Sequence, residues 1–484
     1  MLSSADVIMG SYMQKPNIVF IFTDQQRSDT MGYAGDPVAI TPHTDRLAEE
    51  GVVFPHCCTS SPVCMTTRAS LMSGLQVYQH GVWTFANPEI RHGQSHVRNI
   101  RDAGYRTGVV GKTHLWVHGK DHTRDHLDEM SDWGYIDARE TTGPVESAST
   151  GSPYLEHLEA KGLLANHLGY LDTHLTGKHQ QLAMPWELPP SNLPTEDHLD
   201  MYIAGLAESW IAEEPGEQPF YLQVNFGGPH DPWDSTAEYR RMYNADEIPL
   251  SMMEKSTGPV SPHVALLLSG APSKLSQMSE AENKVMKSYY YSKVTLIDDC
   301  VGRVIDALES KGLLDNTWIV FSSDHGEMLG DHGLMAKKTF YEGAVNVPCI
   351  FRPPGGAPNW QSNSLVCHLD IVSSLIDIAD AAPLETDGLS LVSLLDGGEA
   401  APGAHNHQDH VFSMLGVPPK AFVMVRNERY KLSANTADRA PMDLYDLQED
   451  PKELHNLVND PALRDVQESL LELLTPVFDK VGTA

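Results

Sequence analysis

Four short, largely apolar runs recur along this 484-residue chain, and helical patterns lie between them. The runs are Asn17–Thr23, Tyr105–Val110, Phe220–Phe226 and Thr317–Ser322. The first, NIVFIFT, is continuously apolar and rich in β-branched and aromatic residues, which predicts a strand buried on both faces of a sheet. The helical patterns are Thr44–Glu50, Thr67–Ser73, Asp197–Ala212 and Glu280–Leu308. Strands that alternate with helices predict an α/β fold, with helices covering both faces of a mostly parallel sheet.

Polar residues follow each of the four runs. The segments that follow them are Asp24-Gln25, Gly111-Lys112-Thr113-His114, Gly227-Gly228-Pro229-His230 and Asp324-His325-Gly326. In open parallel sheets, ligands bind beyond the carboxyl ends of the strands. We therefore expect metal-ligand and acid–base side chains from four strands to meet at one rim of the sheet.

Asp24-Gln25 and Asp324-His325 are candidate metal ligands. Each pair alone also fits an ordinary Asx turn at a strand end. Two such pairs on one rim favour a cation site instead. Carboxylate and amide oxygens with one imidazole suit Ca²⁺, Mn²⁺ or Mg²⁺ better than a structural zinc site. We expect Ca²⁺, with Mn²⁺ or Mg²⁺ as alternatives.

Cys64 is the most informative cysteine, within the segment SPVCMTTRASLMSG. It precedes a helix that we predict to begin near Thr66 or Thr67, and Arg68 follows within the first turn. A helix N-terminus and an arginine both stabilise an anion at such a cysteine. A lone cysteine is more often a buried structural residue, so this segment alone leaves both interpretations open.

Four further basic residues are candidates for chemistry. Lys112 and His114 follow a glycine-rich turn, His230 lies in the turn Gly-Pro-His-Asp-Pro-Trp, and Lys337 follows the Asp324-His325 pair. Each of them alone also fits a solvated lysine or a loop histidine.

Together these segments resemble the sulfatase family of the alkaline-phosphatase-like superfamily. The matching pieces, in family order, are PNIVFIFTDQQRSD, CMTTRASLMSG, GYRTGVVGKTH, PFYLQVNFGGPHDPW, SSDHGEMLGDHGLMAKKTFYE and MDLYDLQEDPKELHNL. They extend from near residue 16 to near residue 457. The resemblance implies a mixed, mostly parallel sheet sandwiched by helices, with a smaller C-terminal α+β subdomain.

The resemblance also implies a nucleophile and a metal site. Cys64 would be oxidised after translation to formylglycine by a formylglycine-generating enzyme, and its hydrated gem-diol would be the nucleophile. Asp24, Gln25, Asp324 and His325 would hold one divalent metal, together with an oxygen of the modified Cys64.

The remaining candidates take roles around the substrate in the same comparison. Arg68 would steady the gem-diolate, and Lys112 and Lys337 would bind the sulfate oxygens. His114 would position the diol and later take its proton. His230 would face the leaving-group oxygen.

Some positions depart from the usual family pattern. Thr66 stands where the family usually has Pro or Ala, and Gln25 stands where many members have Asp. The Gln25 and His325 combination resembles phosphonate monoester hydrolases, whereas Lys112 and His114 follow the sulfatases. Sulfate monoester hydrolysis is therefore our first hypothesis, and a phosphonate monoester or phosphodiester hydrolase is the second. An inactive binding relative with an unmodified Cys64 is the third.

The Pro/Gly-rich stretch from Pro383 to Gly403 divides the chain in our interpretation. We predict a catalytic α/β domain over residues 1–385, with a motif-free insertion at about 120–215, and an α+β subdomain over 386–484. The subdomain is predicted from strand patterns and one terminal helix: Val411–Leu415, Phe422–Arg426, Tyr430–Leu432 and Pro461–Leu474.

Acidic residues outnumber basic residues by 65 to 34, which gives a formal net charge of −31. Such a surface repels nucleic acid and anionic membranes, and it favours a small sulfate ester or a short sulfated sugar over a long polyanion. Six cysteines in so long a chain do not indicate a disulfide scaffold. The N-terminal segment has no signal-peptide pattern, so we expect a cytoplasmic protein. The sequence leaves the oligomeric state open, with a homo-oligomer among the alternatives.

Overall fold

The computed structural model describes residues 15–84, 93–176, 184–216, 218–254, 256–270, 275–357, 359–395 and 407–481. The N-terminal residues 1–14, which bear on the predicted location, are outside these ranges. So are residues 396–406, which belong to the predicted boundary between the domains. Among the helices of the described ranges, none has the length and apolarity that a bilayer crossing requires.

The strands of the described ranges form three sheets. They are β1 (Asn17–Asp24), β2 (Val52–Val53), β3 (Cys57–Cys58), β4 (Arg106–Lys112), β5 (Asp137–Thr141), β6 (Phe220–Pro229), β7 (Thr317–Ser323), β8 (Asn346–Val347), β9 (Cys349–Arg352), β10 (Trp360–Gln361), β11 (Val366–Cys367), β12 (Val411–Leu415), β13 (Phe422–Arg426), β14 (Tyr430–Asn435) and β15 (Pro441–Asp446). The central sheet has the order β10-β2-β9-β7-β1-β6-β4-β5, a small sheet has the order β11-β3-β8, and the third runs β12-β13-β14-β15.

The α-helices of the same ranges pack on these sheets. They are α1 (Pro42–Glu49), α2 (Cys64–Ser73), α3 (Val77–His80), α4 (His96–Asp102), α5 (Leu127–Trp133), α6 (Pro153–Ala160), α7 (Leu164–Leu171), α8 (Leu199–Ala212), α9 (Ala237–Arg240), α10 (Pro262–Gly270), α11 (Glu280–Ser310), α12 (Glu342–Val345), α13 (His368–Ile378), α14 (Arg464–Leu473) and α15 (Thr475–Val481).

Strand β1 lies near the centre of the large sheet, between the parallel neighbours β6 and β7. Its side chains alternate between two apolar cores. Ile18, Phe20 and Phe22 pack into the core on one face, and Val19 and Ile21 pack into the core on the other. All eight residues of β1 are buried, which confirms the prediction for this run. Full burial of one such side chain contributes about 1.5–3 kcal/mol to folding.

Helix α2 begins at Cys64, two residues earlier than the first of the predicted starts. The preceding Val63 is extended and caps the helix without a side-chain hydrogen bond, while its carbonyl accepts from Thr67 N at 3.0 Å. The usual capping side chain is therefore missing, so no capping residue marks this start in the sequence. Cys64 is consequently the first residue of the helix, where its backbone N–H group is not needed by the helix itself.

The C-terminal part forms the third, antiparallel sheet, with α14 and α15 packed on it. Strand β15 was not predicted, because its sequence PMDLYD begins with proline and carries two aspartates. The sheet contacts the large region close to Cys64, since Met414 N in β12 donates to Ser60 O at 3.0 Å. The mixed, mostly parallel sheet and this antiparallel sheet confirm the predicted fold class.

Candidate active site

The four predicted strand ends meet at one rim of the large sheet. Asp24 ends β1, Lys112 ends β4, His230 directly follows β6, and Asp324 directly follows β7. Cys64, at the start of α2, lies among them. In this group the side-chain ligand atoms of Asp24, Cys64, Asp324 and His325 all lie within 4.8 Å of one another, and all four residues are buried.

The thiol of Cys64 is in contact with groups from three other segments. Its Sγ lies 3.1 Å from His325 Nε2 and accepts a hydrogen bond from Lys337 Nζ at 3.2 Å. Asp24 Oδ1 lies 3.8 Å from the same atom. Cys64 is 2% exposed, so these contacts are shielded from bulk water.

The hydrogen bonds of His325 fix its tautomer. Its Nδ1 lies 3.0 Å from the carbonyl oxygen of Gly326, which can only accept, so the proton is assigned to Nδ1. The Nε2 lone pair therefore faces the cluster. Burial lowers the pKa of His325, which favours the neutral imidazole. A neutral ring whose second nitrogen donates to a carbonyl is the usual state of a histidine metal ligand.

Gln25 is held in an uncommon backbone conformation with a φ of 66°. Its N–H group donates to Asp324 Oδ1 at 3.0 Å, which ties the ends of β1 and β7 together. Its Nε2 donates to the buried Glu327, and its Oε1 accepts from Lys337 Nζ at 2.5 Å. Glu327 thus orients the amide so that its oxygen faces the site. We had not singled out Glu327, although it lies in the quoted segment SSDHGE.

Two buried cations surround the carboxylates. Arg68 Nε donates to Asp324 Oδ2 at 3.0 Å, and Lys112 Nζ lies 2.7 Å from Asp24 Oδ2. Burial would raise the pKa of Asp24, but the charges of Lys112, His230 and Arg68 outweigh it and hold that pKa well below its usual range. Asp24 is therefore ionised, as a metal ligand must be.

The two candidate histidines have opposite protonation tendencies. Burial, together with the charge of Lys112, holds the pKa of His114 well below its usual value, so its imidazole is neutral. Burial would also lower the pKa of His230, but the neighbouring Asp231 and Asp24 contribute to a net rise. One histidine is thus suited to accept a proton and the other to donate one.

The donor set fits one divalent cation. Two carboxylates, the Cys64 sulfur and an imidazole lone pair converge in a buried volume, and the Gln25 amide oxygen shares the contact of Lys337 Nζ with that sulfur. Mixed oxygen and nitrogen sets of this kind suit Ca²⁺, Mn²⁺ or Mg²⁺. A second group, His43, Asp298 and Asp299, also brings its ligand atoms together. There, however, Asp298 accepts from the backbone N–H groups of His43 and Thr44 at 2.9 and 2.8 Å. This second group therefore caps the N-terminus of α1.

Two buried charged residues, Asp200 and Lys293, lie behind the end of β6 that His230 follows. Asp200 Oδ1, in α8, accepts from Gly227 N at 2.8 Å and from Gly228 N at 3.0 Å. Its other oxygen lies 3.4 Å from Lys293 Nζ in α11. Neither Asp200 nor Lys293 lies in a motif, so neither was predicted from the sequence.

Known proteins resemble this chain over most of its length. The family model described as Sulfatase matches residues 16–381, and the model described as N-sulphoglucosamine sulphohydrolase, C-terminal, matches residues 330–480. An arylsulfatase of Clostridium perfringens is 27% identical, over 95% of this chain and 94% of that protein. An N-acetylglucosamine-6-O-sulfatase of Bacteroides thetaiotaomicron is 24% identical, over 95% of this chain and 86% of that protein.

The fold is also similar to that of a phosphonate monoester hydrolase of Agrobacterium radiobacter. The TM-score is 0.78 at 24% sequence identity, and the match covers 96% of each chain. This structural similarity extends over the large sheet and the C-terminal part alike. Because the sulfatase model matches most of the chain, the protein belongs to the sulfatase family of sulfuric ester hydrolases, with an alkaline-phosphatase-like fold.

Proposed function

We propose that this protein hydrolyses a sulfate monoester to an alcohol and inorganic sulfate, using a formylglycine made from Cys64 and one divalent cation. The observation that carries the proposal is the position of Cys64 Sγ, 3.1 Å from His325 Nε2 and 3.2 Å from Lys337 Nζ. The atom that the modification would replace thus lies between a candidate metal ligand and a candidate sulfate-binding cation.

The proposed cation would be held by Asp24, Gln25, Asp324 and His325, and we expect Ca²⁺ ahead of Mn²⁺ or Mg²⁺. When present, the cation would withdraw charge from the ester and the hydrated aldehyde would supply the attacking hydroxyl. A formylglycine-generating enzyme is the partner that this proposal requires during maturation.

The surrounding residues have complementary tasks in this proposal. Lys112 and Lys337 neutralise the non-bridging oxygens of the sulfate, where negative charge is concentrated. Arg68 steadies the anionic nucleophile. His114, neutral through burial, takes the proton that the nucleophile releases, and His230, more easily protonated, gives one to the leaving oxygen.

For the substrate we propose a small sulfate ester or a short sulfated sugar. The name of one relative, an N-acetylglucosamine-6-O-sulfatase, supports a sulfated sugar. The net charge of −31 disfavours a long polyanionic glycan. We further propose that the predicted insertion at about 120–215, within a catalytic domain of residues 1–385, determines which alcohol is accepted.

A phosphonate monoester hydrolase is the second candidate, favoured by Gln25 with His325 and by the structural match to such an enzyme. The two ester classes differ in their non-bridging oxygens: a sulfate monoester has three, and a phosphonate monoester has two. A phosphonate would therefore leave Lys112 or Lys337 with fewer partners in a buried site, at a cost of about 1–3 kcal/mol.

We expect kcat/KM for 4-nitrophenyl sulfate to exceed that for 4-nitrophenyl methylphosphonate by about 10- to 100-fold. Lys337→Ala should reduce this ratio, because it removes one of the two cations. The exposed neighbour offers the matched control Lys338→Ala, which should keep the ratio. A higher kcat/KM for the phosphonate in the unaltered protein would instead establish the second candidate.

Asp200→Asn should slow the cleavage of alkyl sulfates about 10-fold more than the cleavage of 4-nitrophenyl sulfate. The substitution weakens the hydrogen bonds that anchor Gly227 and Gly228 at the end of β6, so the following His230 is positioned less well. Only a substrate with a poor leaving group needs the proton of His230. The measurement is kcat for a series of leaving groups of rising alcohol pKa.

The control for this series is Asp197→Asn, because Asp197 binds Lys161 and His157 and does not bind the end of β6. Equal slowing of all leaving groups by Asp200→Asn, or the same selective slowing by Asp197→Asn, would contradict a positioning role for Asp200.

A further inference from the structure

Glu146 lies between β5 and α6, inside the predicted insertion, and its carboxylate reaches the space beside Lys112. The geometry of Gly143 defines this space. A methyl group built on Gly143 would lie 2.4 Å from Glu146 Oε2 and 2.8 Å from Lys112 Nζ. One methyl-sized position therefore separates the carboxylate from a cation that we propose binds the sulfate.

One carboxylate oxygen of Glu146, Oε2, has no hydrogen-bond donor among the described residues. This oxygen is buried, while Lys112 Nζ contacts Asp24 Oδ2 at 2.7 Å instead. Burial would raise the pKa of Glu146, but the charges of Lys112 and His230 keep it below its usual value. An ionised, buried oxygen without a donor is costly, which indicates that a ligand supplies the donor.

His118 gives a second, independent indication on the same side of the site. Its ring stacks on His114 at a centroid distance of 4.8 Å. Both its ring nitrogens are buried without a hydrogen-bond partner among the described residues, and burial lowers its pKa to about 4. A neutral imidazole has one donor and one acceptor, so this wall of the site can bind polar groups of a ligand.

The oxygens of a sulfate ester only accept, so the sulfate cannot supply this donor. The alcohol part of the substrate can. We propose that Glu146 is a specificity residue that accepts a hydrogen bond from a hydroxyl or ammonium group on the carbon next to the ester carbon. This inference rests on the proposed sulfatase function. The same carboxylate would repel a leaving group that carries a second anionic group at that carbon.

Three alkyl esters of matched size test the proposal on the matured protein: propyl sulfate, 2-hydroxyethyl sulfate and 2-aminoethyl sulfate. We expect kcat/KM for the two donor-bearing esters to exceed that for propyl sulfate by about 10- to 100-fold. Glu146→Gln should lower the preference for the ammonium about 10-fold, and the preference for the hydroxyl less, because an amide oxygen still accepts. The difference between these two losses shows whether Glu146 prefers a charged or a neutral hydrogen-bond donor.

Two further variants complete the test. Gly143→Ala should lower the same preferences without removing the charge, since its methyl group displaces Glu146 Oε2. The methyl group also crowds Lys112 Nζ, which should slow all three esters alike and leave their ratios to report on Glu146. Glu159→Gln, at an exposed carboxylate of α6, should keep them. Equal kcat/KM for all three esters, or unchanged preferences in both Glu146→Gln and Gly143→Ala, would overturn this subsite and leave the sulfatase proposal standing. Failure to hydrolyse these esters and 4-nitrophenyl sulfate would overturn the proposed function and the subsite with it.

Discussion

Replacing Cys64 with alanine should reduce kcat for 4-nitrophenyl sulfate by on the order of 10⁴-fold or more, because it removes the proposed nucleophile. The fold should be retained, since the change deletes one sulfur atom at the first residue of α2. Thermal unfolding, measured beside kcat, checks this point. The matched control is Cys300→Ala, at a buried cysteine in α11 that contacts Met201, and it should keep activity within about twofold.

Mass spectrometry of the unaltered protein tests the same step chemically. Cleavage after arginine and lysine gives the peptide Leu47–Arg68, which contains Cys57, Cys58 and Cys64. Conversion of one thiol to the aldehyde removes about 18 Da, and fragment ions must assign the loss to position 64. Full activity in Cys64→Ala, or hydrolysis by protein in which all three thiols persist, would end the formylglycine proposal.

Asp24→Asn should strongly weaken cation binding and reduce kcat by about 10³-fold or more. Asp24 is a proposed ligand, and it is also the partner of Lys112 at 2.7 Å and of Arg68 at 3.3 Å. Loss of its charge leaves two buried cations with less compensation, so we expect a loss of about 3–5 kcal/mol in the free energy of unfolding. Calorimetric titration with Ca²⁺ should give one equivalent for the unaltered protein and an affinity at least about 100-fold lower for the variant.

The second candidate cluster provides the control for this titration. Asp299→Asn alters the group formed with His43 and Asp298, and it should leave the stoichiometry and the affinity unchanged. Removal of the cation with a chelator, followed by separate addition of Ca²⁺, Mn²⁺ and Mg²⁺, identifies the ion that restores kcat. Undiminished affinity in Asp24→Asn, or a cation lost in Asp299→Asn, would contradict the assignment.

The sequence predicted the core of this site because its residues follow strongly apolar strands. Buried parallel strands end at one rim, so Asp24 after a run such as NIVFIFT and Asp324 after TWIVFS had to lie close together. The register bears this out, since Thr23 pairs with Ser323 just before the two aspartates. The apolar pattern of the strands and the parallel topology of the sheet were together sufficient to predict that Asp24 and Asp324 lie close together.

Other parts carried no local signal. Strand β5, with the sequence DARET, is an edge strand of the large sheet and shows no apolar run. At this edge Arg139 pairs with Asp137 and Glu213. Asp200 and Lys293 meet only through the packing of α8 on α11, and Glu146 comes near Lys112 only through the folded insertion. Such partners depend on contacts between residues far apart in the chain, which periodicity cannot reveal.

The central position of β1 has a consequence for how the protein is made. The strand is made before its neighbour β7, which begins at Thr317, some 300 residues later. At a rate of about 5–20 residues per second, β1 waits roughly 15–60 s before the later of its two neighbouring strands, β7, has been made. During that interval Cys64 is not yet enclosed by Lys337 and His325, so an enzyme that modifies it would have freer access to the thiol. Slower translation would thus lengthen the interval that is open to the modification we propose for Cys64.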